Sequence, residues 1–268
     1  MNRAIPQGLA ALLLILAPLA RGQTFYFSDG RKASLPEARI VGETIKLPLT
    51  LDGGASGEVS LPISSITRLD WPAPAGLAAA EADLKAGRPA DALKTLDALV
   101  PSQEVFRDIT GSWWPKATSL RVEALARLGR DVDAEVALER LRRSRNGADL
   151  VDRSALTIVS TLVHTGKIAQ ARERLKAINL AKADAAILAQ SDLINARLLQ
   201  IDGKTEAALL SYLRVPVLYS QQRDTQPAAL LGAASCYRAL GMTARADAMI
   251  NTLKERFPDS PEAAHAKR

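Results

Sequence analysis

The chain is poor in the residues that most often carry chemistry. Of its 268 residues only Cys236 is a cysteine, so no internal disulfide can form even in an oxidising compartment. Neither histidine, His164 nor His265, lies near Cys236 in sequence, so that cysteine reads as a small buried hydrophobe rather than a reactive thiol. There is no His-Glu-x-x-His, no paired Cys-x-x-Cys, no phosphate-cradling glycine loop and no Gly-x-Ser-x-Gly elbow. Acids are plentiful, but no spacing singles out a catalytic pair. No catalytic, metal-binding or cofactor-binding residue is therefore assigned, and the chain reads as a non-enzyme without a cofactor. Aromatic residues make up 4% against 47% hydrophobic, so the apolar bulk is Ala and Leu, the composition of packed helices.

A long apolar run is also missing. The longest, Leu9 to Leu19, falls short of the roughly 20 residues that a membrane-crossing helix needs. Arg3 precedes it and the small-x-small site Ala20-Arg21-Gly22 comes after it, so residues 1–22 read as a secretory signal, with an uncleaved anchor as the alternative. The expected product is exported, periplasmic or secreted, and not integral to the membrane after cleavage. No cysteine lies just beyond the run that could take a lipid. Losing Arg3 and Arg21 would leave 33 basic against 29 acidic side chains, a charge of +4 that is far short of a nucleic-acid footprint.

Residues 24–71 belong to a different structural class from the rest of the chain. Phe25-Tyr26-Phe27, Ala38 to Val41, Thr44 to Leu51 and Glu58 to Leu69 are rich in β-formers, with turn signals at Asp29-Gly30, Gly42-Glu43 and Asp52-Gly53-Gly54. Pro62 divides the last stretch, because proline cannot donate to a central ladder. Four or five short strands predict a small all-β module, a barrel-like fold of the SH3 or Sm type. Residues 72–76 form a Pro/Ala linker after Trp71, which is expected to pack against its neighbours.

Residues 77–268 carry the main pattern. Gly87, Gly129, Gly166, Gly203 and Gly241 are each followed five residues later by alanine: Ala92, Ala134, Ala171, Ala208 and Ala246. A bulky apolar residue stands nine and twelve positions after each glycine, as with Leu138 and Leu141 or Tyr212 and Val215. Glycine adopts the left-handed backbone that ends a helix, so each marks a bend between two antiparallel helices. The alanine lets the axes approach, and the apolar residues share its face. Four before the glycine stand Leu125, Leu162, Leu199 and Tyr237, which close the first helix on the second; Asp83 breaks the pattern. A lone helix pair cannot cover its apolar face, whereas stacked pairs bury a continuous core. The expected fold is mainly α: a solenoid of about five helix pairs preceded by the β module. Ser260-Pro261-Glu262 starts one more short helix at the end.

Helix pairs of this spacing resemble tetratricopeptide repeats. The last unit, with Tyr237 to Gly241, Ala246-Asp247-Ala248 and Glu255 to Ala263, is similar to repeats of outer-membrane assembly lipoproteins and TolA-binding envelope proteins. The resemblance covers residues 76–268, with a longer period than the family's and few of its early aromatics. It implies a scaffold whose first helices line a groove for a partner segment. Carrying the groove positions over by distance from each glycine gives Lys85, Glu123, Arg127, His164, Arg197, Gln200 and Arg238, with Glu81, Ser160 and Ser235 in the same rows. This basic and polar lining predicts an extended or helical segment bearing acidic residues.

Trp113 and Trp114 cannot both face one core stripe, because adjacent residues on a helix point about 100° apart. One reading has one indole fill the groove between helix pairs while the other covers the Phe106 loop; the other makes one an exposed aromatic anchor for a partner. The run Arg140, Arg142, Arg143 and Arg145 reads as a solvated helix end, or else as a site for an anionic partner. The expected function is a protein–protein interaction scaffold in cell-envelope assembly, with protein partners in the envelope. The alternatives are an adaptor whose β module docks on peptidoglycan or an outer-membrane component, and an accessory subunit of an envelope enzyme.

Overall fold

A computed structural model of the chain describes residues 23–34, 39–50 and 56–266. The segment 1–22 read as a signal and the Asp52-Gly53-Gly54 turn lie outside the described residues. The chain forms two compact units, one of residues 1–72 with Ile109–Gly111, the other of residues 73–108 and 112–268.

Among the described residues the first unit holds six strands: β1 Thr24–Phe27, β2 Lys32–Ser34, β3 Arg39–Val41, β4 Thr44–Thr50, β5 Ser56–Pro62 and β6 Ile66–Asp70. Alternation in β1 buries Phe25 and Phe27 and turns Tyr26 outward. Ile45, Leu47, Ile63, Ile66 and Leu69 are buried as well, and Trp71 meets Phe25 edge-on at 5.2 Å. The strands form two three-stranded antiparallel sheets, ordered β2-β1-β6 and β3-β4-β5. The expected barrel is not closed among the described residues. β5 stops at Pro62, which has no N–H to carry the ladder on, and a 3₁₀ turn at Ile63–Ser65 leads into β6 in the other sheet. β6 is extended instead by a late stretch of the chain: Thr110 bridges Arg68 in parallel, and its carbonyl accepts from the Leu69 N–H at 2.8 Å. Strand β2, Lys-Ala-Ser, has no β-former in it and gives no signal in the sequence; it forms because the Asp29-Gly30 turn folds it back on β1.

The second unit is built of helix pairs: α1 Ala75–Lys85 with α2 Pro89–Ser102, α3 Trp114–Arg127 with α4 Asp131–Arg143, and α5 Ala148–His164 with α6 Ile168–Lys176. Next come α7 Ala185–Ile201 with α8 Thr205–Leu218, α9 Gln226–Ala239 with α10 Thr243–Arg256, and the short α11 Pro261–His265. α1 begins inside the stretch read as a linker, because Pro74 can start a helix and its carbonyl takes the Leu77 N–H. Ser260 caps α11 by accepting from the Ala263 N–H at 3.1 Å.

The five bends are equivalent. Each glycine has a positive φ, between 72° and 77°. Each donates its N–H to the carbonyl three residues back, and the next residue donates to the carbonyl four before the glycine, as in Gly129 to Ala126 and Arg130 to Leu125. This pair of bonds is the Schellman closure, and it satisfies carbonyls that a helix end otherwise leaves orphaned. Asp83, which breaks the sequence pattern, has a purpose here. It stands where a leucine would meet the residue after the glycine, and it takes the Arg88 guanidinium at 2.5 Å instead. An ion pair replaces the apolar contact that usually accompanies this closure.

The five alanines placed five residues after these glycines are wholly buried. Consecutive first helices pack on one another (α1 on α3, α3 on α5, α5 on α7, α7 on α9), whereas consecutive second helices make little contact. One apolar cluster runs from Leu77 to Leu198, and a second joins α7 to α10 through Tyr212, Ala233 and Ile250. α7 contributes to both. Gly232 lies where α9 passes the Tyr212 ring, and a Cβ there would fall 2.4 Å from the ring.

Two substitutions separate the two uses of glycine. Gly129→Ala adds a methyl into open space on a left-handed backbone, so it should lower the stability of the helical unit by about 1–2 kcal/mol, and Gly129→Asn by less. Gly232→Ala would gain about 1 kcal/mol of helix propensity. Overpacking against Tyr212 costs about 1–3 kcal/mol, so the net effect should be destabilising. Urea denaturation midpoints measure both; a Gly232→Ala protein more stable than wild type would contradict the packing described.

Candidate functional site

The face formed by the first helices carries a pocket of about 420 Å³. α5 contributes Arg153, Thr157, Ser160 and Val163, and α7 contributes Gln190, Leu193, Ile194 and Arg197. Arg153 and Ser160 are seven residues apart, as are Gln190 and Arg197, so each pair shares one helical face. Tyr212 from α8 forms part of the floor, and Gln222, Asp224 and Thr225 from the α8–α9 turn form the rim.

The turn is fixed from below. Pro216, in the last turn of α8, cannot donate a backbone hydrogen bond, and the helix end leaves carbonyls exposed. The buried Gln226 side chain answers them, its Nε2 donating to the Tyr219 carbonyl at 2.8 Å and to that of Val215 at 3.3 Å. The Thr225 hydroxyl donates to the Gln222 carbonyl at 3.0 Å, and the Gln222 N–H donates to the Tyr219 carbonyl. Asp224 therefore stands at a set position on the rim.

The floor is equally well held. The Tyr212 hydroxyl donates to Gln200 Oε1 at 3.0 Å, and Gln200 Nε2 donates to Ser235 Oγ at 3.2 Å, a chain linking α8, α7 and α9. Burial pushes the Tyr212 phenol up to about 12, against the opposing pull of the Arg197 charge. Arg153 and Arg197 are exposed at the pocket, and among the described residues neither is held in an ion pair. The arrangement sets two unneutralised guanidinium groups over an apolar floor of Val163, Leu193 and Ile194, with hydroxyls and amides around them. Such a site suits a carboxylate on an extended chain.

Of the residues expected in a groove, Arg197 lines this pocket and so does Ser160 from the same row. The others have different places. Arg127 pairs with Glu123 at 2.5 Å and donates to the Leu84 carbonyl at 2.7 Å, so its charge closes the end of α1. Gln200 lies beneath the pocket in the tyrosine chain. Lys85 and His164 are exposed at the ends of α1 and α5, and Arg238 lies 3.8 Å from Asp247. Glu81 pairs with Lys116. Trp114 is not an exposed anchor: it is fully buried, and its Nε1 donates to Glu104 at 2.8 Å. Trp113 is half-buried against the same core. In the arginine run Arg140 pairs with Glu104 and Arg142 and Arg143 share Glu139, while the exposed Arg145 side chain is in no ion pair among the described residues. Cys236 is fully buried, and burial raises its thiol pKa. Arg153, Gln190, Gln222 and Asp224 do not stand out in the sequence. The first two repeat the Ser160 and Arg197 positions one seven-residue step earlier, a spacing that points to them. The other two lie on an irregular turn with no period to guide a reader.

The Tyr212 hydroxyl gives a pH signature. Its folded pKa lies above the ordinary phenol value of 10.0, so the neutral phenol favours the fold. That contribution is full below pH 10 and is lost as the pH rises toward 12. A shift of this size corresponds to about 2–3 kcal/mol. Tyr212→Phe should lower stability at neutral pH, and its stability should fall less steeply than wild type between these two values; parallel profiles in a denaturant series would contradict the assignment.

The family model of the tetratricopeptide repeat matches residues 228–260, the span from early α9 to the cap of α11. No curated protein matches the chain. The pair α9–α10 is thus similar to a tetratricopeptide repeat, and the preceding helix pairs turn at the same kind of bend. Repeats of this type fit an interaction scaffold.

Proposed function

We propose that the chain is a protein–protein interaction scaffold that holds an acidic segment of a partner in the groove between α5, α7 and α9. The observation that carries this reading is the pair Arg153 and Arg197, two cations without an ion-pair partner among the described residues, lining one pocket on the face formed by the first helices. Charge-assisted bonds from arginine to carboxylate are roughly twice as strong as neutral ones, and the forked guanidinium adds direction. The groove's amides and hydroxyls can serve the backbone of an extended chain.

The proposed setting is the cell envelope, with the chain exported to the periplasm or secreted. The pattern of residues 1–22 supports export. Among the described residues no helix is long and apolar enough to cross a membrane. On this reading, the resemblance inferred from the sequence of the last unit, Tyr237 to Ala263, points to a role in assembling other envelope components.

The test is capture of partners from a solubilised envelope extract by the immobilised chain. Changing Arg153 and Arg197 together to Glu should cut specific capture at least about tenfold, the effect of removing buried charge pairing and adding repulsion. Arg127→Glu should instead lower the thermal midpoint, because Arg127 holds the end of α1. Undiminished capture by the Arg153→Glu, Arg197→Glu protein would contradict the proposal.

A further inference from the structure

Asp224 is the one carboxylate among the side chains that line the pocket, and it faces the same space as Arg153 and Arg197. It is exposed, and among the described residues it is in no ion pair, with those arginines or with any other base. The turn that carries it is tied by Gln226 to the Tyr219 carbonyl at the end of α8 and by Thr225 to Gln222. The pocket therefore presents charges of both signs that are not joined in an ion pair.

We infer that this pocket selects a segment of mixed charge, an acidic side chain seated at Arg153 and Arg197 with a lysine or arginine beside it at Asp224. This inference rests on the reading of the groove as a peptide site and names the chemistry of its ligand. A purely acidic segment would satisfy the arginines but bring a second carboxylate up to Asp224, and specificity of this kind comes as much from repulsion as from attraction. A purely basic segment would face two arginines. The size of the pocket limits the contact to a few side chains, so adjacent residues of opposite charge are the natural match. Gln190 and Gln222 line the same space, where they can bond the backbone that joins the two side chains.

The experiment uses the full chain and three short end-capped peptides in one Gly/Ser background, carrying Glu-Glu, Glu-Lys or Lys-Lys, with binding measured by fluorescence anisotropy at low salt. The wild type should bind the Glu-Lys peptide about three- to tenfold more tightly than Glu-Glu, and Lys-Lys weakest. Asp224→Asn should abolish the preference for Glu-Lys over Glu-Glu, and Asp224→Lys should reverse it. Equal binding of Glu-Lys and Glu-Glu by the wild type, or a preference that survives Asp224→Asn, would overturn the inference while leaving the groove reading intact. If none of the peptides binds, or if binding is indifferent to changing Arg153 and Arg197 to Glu, both fall.

Discussion

The structure of the helical unit depends on a bend made five times. At each bend one glycine takes a left-handed conformation, and two backbone hydrogen bonds close the end of one helix while turning the chain back along it. The second helix always begins two residues later, so the alanine five beyond the glycine arrives on the inner face in every pair. With no side chain beyond its methyl, that alanine lets the axes come close, and the bulky residues at the next turns fill the groove. Repetition of the bend makes the pairs alike, and likeness lets them stack, with α7 contributing to both apolar clusters.

Stacking of like pairs also makes the groove. First helices touch their successors and second helices largely do not, so the first helices form a continuous face. Positions seven apart on α5 and α7 then face a common space, and the chemistry of that space is set by residues the core does not need. The third pair shows how this can vary locally. α6 has only nine residues and makes little contact with α7, so α7 is held chiefly by α5 and α8, next to the pocket.

The bends and the core were legible in the sequence because both arise from backbone geometry that few residues can supply. Asp83 looks like an exception only because an aspartate and an arginine can do the work of two apolar side chains at that corner. The groove was half legible. Ser160 and Arg197 are placed by their distance to the glycine, whereas Arg127 occupies an equivalent stripe yet reaches back to the Leu84 carbonyl, a choice made by neighbouring atoms and not by spacing. Asp224 owes its place to Gln226 filling the end of α8, a contact between residues that no period connects. The burial of Trp114 rests on Glu104, ten residues earlier in a 3₁₀ turn. In the first unit composition marks the strands but not their closure: the break at Pro62 and the addition of Thr110 to β6 are decided by pairing across distance.

The most direct test of the left-handed bend uses its handedness. Cys236 permits ligation of a synthetic segment 236–268 to the rest of the chain, with Gly241 replaced by D-alanine or by L-alanine. With φ at 73° and open space around an added Cβ, L-alanine should destabilise the last pair. D-alanine, for which this conformation is the ordinary one, should stabilise it by reducing the freedom of the unfolded chain. Opposite signs in the thermal midpoint are the predicted result; shifts of the same sign would contradict the bend on which the fold and the groove both rest.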